Sequence, residues 1–521
     1  MGPFASPFDD FASSRAPSRA GSDDDGVNTQ TVSEKYNILP SAGLLLFPED
    51  VEKDDWLHNP DPNEKEGRMT CADLFSKRGI VNVGGLALIT IGVAMLFIGY
   101  PILTFVQKAV NPAGNSCETN PNCIKDNVKL LNGASIRRGL IDPHTPSLLT
   151  QQQFSDEFED DGRTFYPGDD AYFEAVDLWY GVTMDLEWYD PDAVTTADGT
   201  LNIRFDAFQN HGLNYRSGML QSWNMLCFKG GYMEASISLP GRGDTIGFWP
   251  GFWAMGNLGR PGYAATTDGM WPYSYDNICD AGITKNQSDP DGLSSLPGMR
   301  LPACTCDGED HPTPGYSRSS PEIDALEASV GYLDPPIGAA IGSASQSFQV
   351  APFDTLWRPN TEFIEVYDRS VSSMNAYQGG VYQQALSTVT NLNNDWYDGK
   401  AYQTYAFEYE PGSDGYVSWF VGDTKTWKVT GDAVGPNGNI GQRVIPHEPM
   451  ALIINFGMSS GFAALNLTGL APLMPATMRL DYIRIYQDGD GEMTCDPKGY
   501  ETTQYIAEHM TAYTNPNLTQ W

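Results

Sequence analysis

Residues 80–106 (IVNVGGLALITIGVAMLFIGYPILTFV) run for 27 positions without a charged side chain. As a helix rising ~1.5 Å per residue, that run is about 40 Å long and crosses a bilayer with tilt. A core helix of that length in a soluble protein normally keeps a polar stripe, and this one has no charged stripe. Because 79 residues precede it and no compact basic segment opens the chain, it reads as an uncleaved signal anchor rather than a cleavable signal peptide. Lys65, Arg68, Lys77 and Arg78 lie on its N-terminal flank, against Lys108 and Lys125 on the other. The positive-inside rule then places the N-terminus in the cytoplasm, a type II topology.

That topology divides the chain. Residues 1–79 open with PFASPFDDFASSRAPSRAGSDDD, a Ser/Pro/Asp-rich stretch without a usable period, and read as a disordered cytosolic tail. Residues 107–150 read as a lumenal stalk, 151–490 as the main domain and 491–521 as a C-terminal extension. The sequons at Asn286, Asn466 and Asn517 all follow the span, where glycosylation takes place. Cys71 is alone on the cytoplasmic side, whereas Cys117, Cys123, Cys227, Cys279, Cys304, Cys306 and Cys495 face an oxidising compartment. Seven cannot pair within one chain, so most are expected in disulfides and at least one is not. The expected location is a secretory-pathway membrane (endoplasmic reticulum, Golgi or vesicles) or the plasma membrane. A formal net charge of -35 repels phosphate backbones and argues against a nucleic-acid partner.

Past the stalk the chain is a succession of short alternating runs (GYMEASISLP, YVSWFVGD, MALIINFG, MRLDYIRIYQ) divided by turn residues, which predicts an all-β sandwich. One weak amphipathic helix is expected over 502–513. The six histidines show no HExxH and no close His/Cys pairing, and Cys304-Thr-Cys306 lacks a second ligand pair, so no metal is expected. GxxxxGK[ST] does not occur, and no cofactor is implied.

Carboxylate chemistry remains. PEIDALE at 321–327 puts three acids in six residues. On a regular strand Glu322 and Asp324 share a face and Glu327 points the other way. A one-residue β-bulge between Asp324 and Glu327 returns all three to one side. Two glutamates so placed suit a retaining glycosidase, whose carboxyls stand about 5–5.5 Å apart, one attacking the anomeric carbon and the other protonating the departing oxygen. The competing reading is a solvated acidic strand face, and the aromatic neighbourhood counts against it. GFWPGFWAMG at 247–256, with Trp271, Tyr273 and Tyr275, holds more aromatic surface than a core strand needs, and about half of it is expected to face sugar.

These segments, in this order, resemble the laminarinase-type β-glucanases of glycoside hydrolase family 16, a concanavalin-like β-jelly roll: EIDALE matches ExDxxE, GFWPGFWAMG the upstream GxWPAxW strand, and MRLDYIRIYQ the closing strand. FSDEF, LEWYDPDAVTT, YRSGMLQSWN, GNLGRPGY, WPYSYDNICDAGIT, CTCDGEDHP, ASQSFQVAPFD and FVGDT are similar to the fungal β-glucan synthesis-associated proteins of the Kre/Skn group, type II membrane glycoproteins. The resemblance runs over about 154–487. It implies Glu322 as nucleophile, Asp324 as its partner and Glu327 as acid/base, with Trp249, Trp253, Trp271 and Asn455 as substrate-binding residues. Where many laminarinases place a histidine near the cleft, ASQSFQ offers Gln346 and Gln349. The implied function is a glycosidase or transglycosylase acting on β-glucan in cell-wall (β-1,6-glucan) biosynthesis. The alternatives are a non-catalytic glucan-binding or assembly factor, and a scaffold whose tail recruits secretory-pathway or wall-synthesis proteins.

Overall fold

The computed structural model of the chain describes residues 77–99, 151–279, 296–334, 337–352, 359–380, 383–436, 440–488 and 492–521; the chain divides into two compact units, Met1–Thr104 and Phe105–Trp521. In the first unit the described part of the apolar run, residues 80–99, is helical. Helix α1 spans Lys77–Ala94 and continues through a π-helical turn, Met95–Gly99. It starts three residues before the expected anchor, with Lys77 and Arg78 in its first turn. Among the described residues no helix is long and apolar enough to cross a membrane, so the expected single span over 80–106 is not seen as one. Residues 100–106, the expected stalk and the expected tail before Lys77 lie outside the described residues.

The second unit is an all-β, jelly-roll-like sandwich. One sheet runs Ile364–Val366 (β13), Thr424–Thr430 (β19), Tyr416–Val421 (β18), Gln403–Glu410 (β17), Gly231–Ser238 (β9), Ala476–Gln487 (β21), Thr200–Phe205 (β5) and Val194–Ala197 (β4), with Gln151–Asp156 (β1) also on β21. The other runs Ser372–Met374 (β14), Gln383–Asn391 (β16), Ala340–Val350 (β12), Glu322–Tyr332 (β11), Trp249–Gly256 (β10), Met450–Gly457 (β20), Met219–Gln221 (β7) and Glu174–Ala175 (β2). Gly379–Gly380 (β15) joins it on β16 and Cys227–Phe228 (β8) on β20. Both sheets are antiparallel; a small parallel pair, Glu187–Tyr189 (β3) with Tyr215–Ser217 (β6), stands apart.

Alternation decides which side chains enter the core. On β10, Phe252 and Ala254 point inward with Ile323 of β11 and Ile454 of β20, against Met233, Phe407, Trp419 and Ile483 of the facing sheet. Trp249, Gly251, Trp253 and Met255 take the outer face. Burying a core side chain of this size is worth roughly 1.5–3 kcal/mol, which fixes the register and therefore the composition of that outer face. The aromatic surplus divides: Phe248 and Phe252 join the main core, Tyr273 and Tyr275 a satellite core with Leu296 and Met299, and Trp253 and Trp271 pack, partly buried, against a third cluster with Met219 and Met255.

Residues 502–513 form two short helices, Thr503–Glu508 and Met510–Thr514, interrupted at His509, in place of one. Ile506 and Tyr513 pack with Trp223, Cys227 and Ala451, so this segment completes the second sheet's flank. Cys227–Cys495 fastens it across a sequence separation of 268. A crosslink of that reach removes on the order of 5 kcal/mol of chain entropy from the unfolded state in the loop-closure model. Cys279–Cys304 forms a second bridge, and Cys306 is a free, exposed thiol; Cys71, Cys117 and Cys123 lie outside the described residues. Alkylation of the native, unreduced protein should therefore modify the Cys306 peptide, while peptides carrying Cys227, Cys495, Cys279 and Cys304 react only after reduction. Mass mapping checks this, and labelling of Cys227 or Cys279 without reductant contradicts it.

Candidate active site

The site is made by one extra residue. Against β12, Asp324 pairs with Ser347 and Glu327 with Ser345, so a three-residue step on β11 faces a two-residue step on its neighbour. Against β10, Trp253 pairs with Asp324 and Phe252 with Leu326, which leaves Ala325 unpaired. Ala325 and Leu326 both enter the core, and Glu322, Asp324 and Glu327 share the outer face. The bulge removes ladder partners from nearby carbonyls, and buried side chains replace them. Trp419 Nε1 donates to the Asp324 carbonyl at 2.9 Å and Gln346 Nε2 to the Ala325 carbonyl at 2.9 Å. Gln346 is itself fixed, donating to the Phe420 carbonyl at 3.1 Å and accepting from Thr426 Oγ1 at 2.6 Å. Gln346 thus lies inside the sandwich rather than beside the acids. Gln349, three positions along and on the other face, donates to Asp324 Oδ2 at 3.3 Å.

Each acid has its own donors. Trp271 Nε1 donates to Glu322 Oε2 at 2.5 Å, and Trp249 Nε1 to Glu327 Oε1 at 3.1 Å. Ser347 Oγ makes a short hydrogen bond to Asp324 and stands 3.3 Å from Glu327 Oε2. Gln383 Nε2 in turn donates to Gln349 Oε1 at 2.7 Å. Asp324 is 1% exposed, and the two glutamates are half-buried. Burial, reinforced by the charge of Asp324, pushes the Glu327 carboxyl up to about 8. Burial likewise raises Asp324 to about 6, opposed by its bonds from Ser347 and Gln349. Glu322 is driven well above the usual carboxylate range by burial and by the charges of Asp324 and Glu327, with the Trp271 N–H opposing. Three acids this close cannot all ionise, and the group retains protons at neutral pH.

Beside the acids, Trp253 Nε1 donates to Asn455 Oδ1 at 2.8 Å, and Asn455 Nδ2 donates to the Tyr189 hydroxyl at 3.1 Å. Gly251 is required here, because a Cβ on it would stand 2.6 Å from Asn455 Oδ1. Trp249 stacks on Phe462 with centroids 4.3 Å apart, so one of its faces is occupied. Glu322, Asp324, Glu327, Trp249, Trp253, Trp271 and Asn455 are thereby brought onto one face. The exposed sequons are separate: Asn466 caps the Leu467–Leu470 helix by accepting from the Gly469 N–H, and Asn517 is on the surface. Asn286 lies outside the described residues. Among the described residues no cluster of His, Cys, Asp and Glu could hold a metal ion.

Sequence reasoning missed Ser347, Tyr180, Asp185 and Glu187. Tyr180 is pushed up chiefly by burial, and also by the charges of Glu322, Asp185 and Asp324. The one available signal for the two acids was the i, i+2, i+4 spacing of Asp185, Glu187 and Tyr189. The bulge makes a testable distinction between neighbours. Gln346→Ala strands the Ala325 and Phe420 carbonyls and should cost on the order of 3 kcal/mol in urea unfolding, whereas Gln349→Ala should cost well under half of that. Equal losses would contradict the assignment of Gln346 as the bulge's internal partner.

Residues 44–521 match the family model described as beta-glucan synthesis-associated protein SKN1/KRE6/Sbg1. The chain is 47% identical over 507 residues to the beta-glucan synthesis-associated protein KRE6 of Saccharomyces cerevisiae, covering 93% of this chain and 69% of that protein. It is 46% identical over 526 residues to SKN1 of Candida albicans, covering 95% and 69%. Among solved structures it is similar to the laminarinase catalytic domain from Thermotoga maritima at 17% identity, covering 65% of this chain and 99% of that one, with a TM-score of 0.38. A likeness that distant carries no argument, and the description of the sandwich rests on its own strand order. The extent and identity of the sequence matches place this chain in the SKN1/KRE6/Sbg1 family of β-glucan synthesis-associated proteins.

Proposed function

We propose that the chain is a β-glucan-active enzyme of wall assembly, a retaining glycosidase or transglycosylase using Glu322 and Glu327. The observation that carries this reading is the trio itself. A strand bulge is maintained by buried partners, three carboxyls are gathered on one face, and one of them is kept acidic up to about pH 8. An acidic surface strand requires none of this.

In the first step the Glu322 carboxylate forms a bond to the anomeric carbon as the bond from that carbon to the leaving oxygen breaks, and the Glu327 proton goes to that oxygen. Glu322 must be ionised to attack. At rest the shared proton lies on Glu322, the acid raised by the charge of Asp324, so it passes along their hydrogen bond to Asp324 before Glu322 attacks. In the second step Glu327, now a carboxylate, takes the proton of an incoming hydroxyl whose oxygen displaces Glu322 from the sugar. Water gives hydrolysis and a sugar hydroxyl gives transfer. The relatives' description as synthesis-associated proteins supports transfer as the physiological outcome.

On purified full chain with β-1,3- and β-1,6-gluco-oligosaccharides, Glu322→Gln should abolish turnover and Glu327→Gln should lower it by about 10²–10⁴-fold. Glu327→Gln should recover with substrates bearing good leaving groups, Glu322→Gln should not, and Asp324→Asn should fall between them. Because the raised Glu327 group acts in its protonated form, wild-type rate should fall as pH rises through about 8. Full wall-polymer rescue by Glu322→Gln in cells lacking the gene would refute catalysis and leave a glucan-binding assembly factor.

The proposal extends to anchoring in a secretory-pathway or plasma membrane by 80–106, with the β domain lumenal. Support comes from Leu86, Leu88, Ile89, Ile91, Phe97 and Ile98, apolar side chains exposed around α1, and from the surface positions of Asn466 and Asn517. Protease added to sealed microsomes should remove the tail and spare a domain whose Asn466 and Asn517 peptides lose mass with endoglycosidase. A protected N-terminus would reverse the topology.

A further inference from the structure

Asp185 and Glu187 form a second acid pair, outside the bulged strand and unused by the mechanism above. Glu187 is fully buried and Asp185 is 3% exposed. Glu187 Oε1 accepts from the Met458 N–H at 3.0 Å. Asp185 Oδ1 accepts from Thr183 Oγ1 at 2.6 Å, and its Oδ2 from the Tyr189 hydroxyl at 3.0 Å. Glu187 Oε2 meets no N–H or hydroxyl donor among the described residues, and the two carboxyls hydrogen-bond each other. The atoms converge over β20 at Gly457, where a Cβ would lie 3.0 Å from the Tyr189 oxygen, 3.3 Å from Glu187 Oε1 and 3.5 Å from Asp185 Oδ2. The charged and titratable groups facing the pair are Tyr180 and Tyr189, with Glu322 and Asp324 beyond Tyr180; among the described residues neither acid has a cationic partner.

Two carboxyls in contact, buried and without a cation, keep a proton between them. If Glu187 carries it, its carboxyl O–H becomes a donor to Asp185, which stays the carboxylate accepting from Thr183 and Tyr189. The order then propagates. Asp185 fixes the Tyr189 O–H as a donor, the Tyr189 oxygen is left to accept from Asn455 Nδ2, and the Asn455 amide is held with Oδ1 toward Trp253 Nε1.

We infer that Asp185 and Glu187 are a proton-sharing pair of positioning residues, which through Tyr189 and Asn455 hold Trp253 beside the carboxyl trio and release it when the shared proton is lost. The glucan arm of the test rests on the reading of that face as the glucan site; the spectroscopic arm does not. The direction follows from burial, which raises both acids, Asp185 to about 6 and Glu187 well above its ordinary range. Loss of the shared proton sets two buried charges against each other in contact, so the order is complete at low pH and is lost as pH rises and the pair ionises fully.

The test uses full chain in detergent with 5-fluorotryptophan, the Trp253 ¹⁹F resonance being assigned by its absence in Trp253→Phe. Glu187→Gln gives Asp185 a permanent N–H donor and retains an oxygen for Met458. Wild-type Trp253 should shift as pH rises above about 6, through both the pair and the trio, and Glu187→Gln should lose the pair's step while keeping the trio's. Affinity for a β-1,3-glucohexaose should be equal in the two proteins at pH 6 and about tenfold weaker in wild type than in Glu187→Gln at pH 9, the factor that one unit of pKa linkage gives. Tyr189→Phe cuts the path at the hydroxyl while leaving both carboxyls in place, at the loss of one donor to Asp185; it serves if Glu187→Gln fails to fold, and should likewise remove the step. Superimposable pH profiles in wild type and either folded variant would overturn the inference. A resonance that behaves as expected in a protein that binds no glucan would leave the pair in place and remove only the functional reading.

Discussion

A strand that takes in one residue too many must dispose of backbone groups its neighbours no longer satisfy, and the rest of this site follows from how that is done. Ala325 is the surplus residue. Without it Glu327 would enter the core, where an unpaired carboxyl is far more costly than the bulge. With it, the carbonyls of Asp324 and Ala325 need donors from within the sandwich, and Trp419 and Gln346 supply them. Trp419 stacks on Trp427 with centroids 4.0 Å apart, so the facing sheet's packing maintains the geometry of the acids on the opposite side. Core and chemistry are connected through two hydrogen bonds.

The same economy shapes the electrostatics. Among the described residues no cation pairs with Glu322, Asp324 or Glu327, and their donors are neutral: indole N–H groups, a serine and a glutamine. Neutral donors orient a carboxylate without neutralising its charge, so burial and mutual repulsion keep the pKa values high. An arginine beside these acids would favour their ionised forms. Family membership in β-glucan synthesis fits a site built this way, and the enzymatic reading remains the proposal made above.

Much of this was legible in the chain. Acids at i, i+2 and i+5 conflict with the two-residue period of a strand, and one inserted residue resolves the conflict; that is what β11 contains. That about half of the aromatic surplus would be core was legible too, while which half, Phe248 and Phe252 among them, came only with the structure. Gln346 was misplaced because proximity in sequence was read as proximity in space, although Gln346 and Gln349 differ by an odd number and face opposite sides. Asp185 and Glu187 were hidden among 66 acidic residues, since burial without a cation leaves no compositional mark. Ser347 had no signal at all. The helix over 502–513 appeared where expected but breaks at His509, a detail set by packing on Trp223 rather than by local periodicity.

The position of β21 affects how the domain comes into being. It lies between β9 and β5, carries β1 as well, and is the last strand of the described chain, while β20, just before it, lies at the heart of the other sheet. Neither sheet can close until the ribosome has released nearly the whole domain, and pairings of such range are intrinsically slow to form. In the interval, unpaired edges of β5, β9 and β10 stand open to other chains. The surplus of negative charge that makes this sequence a poor partner for phosphate also keeps its half-made copies apart.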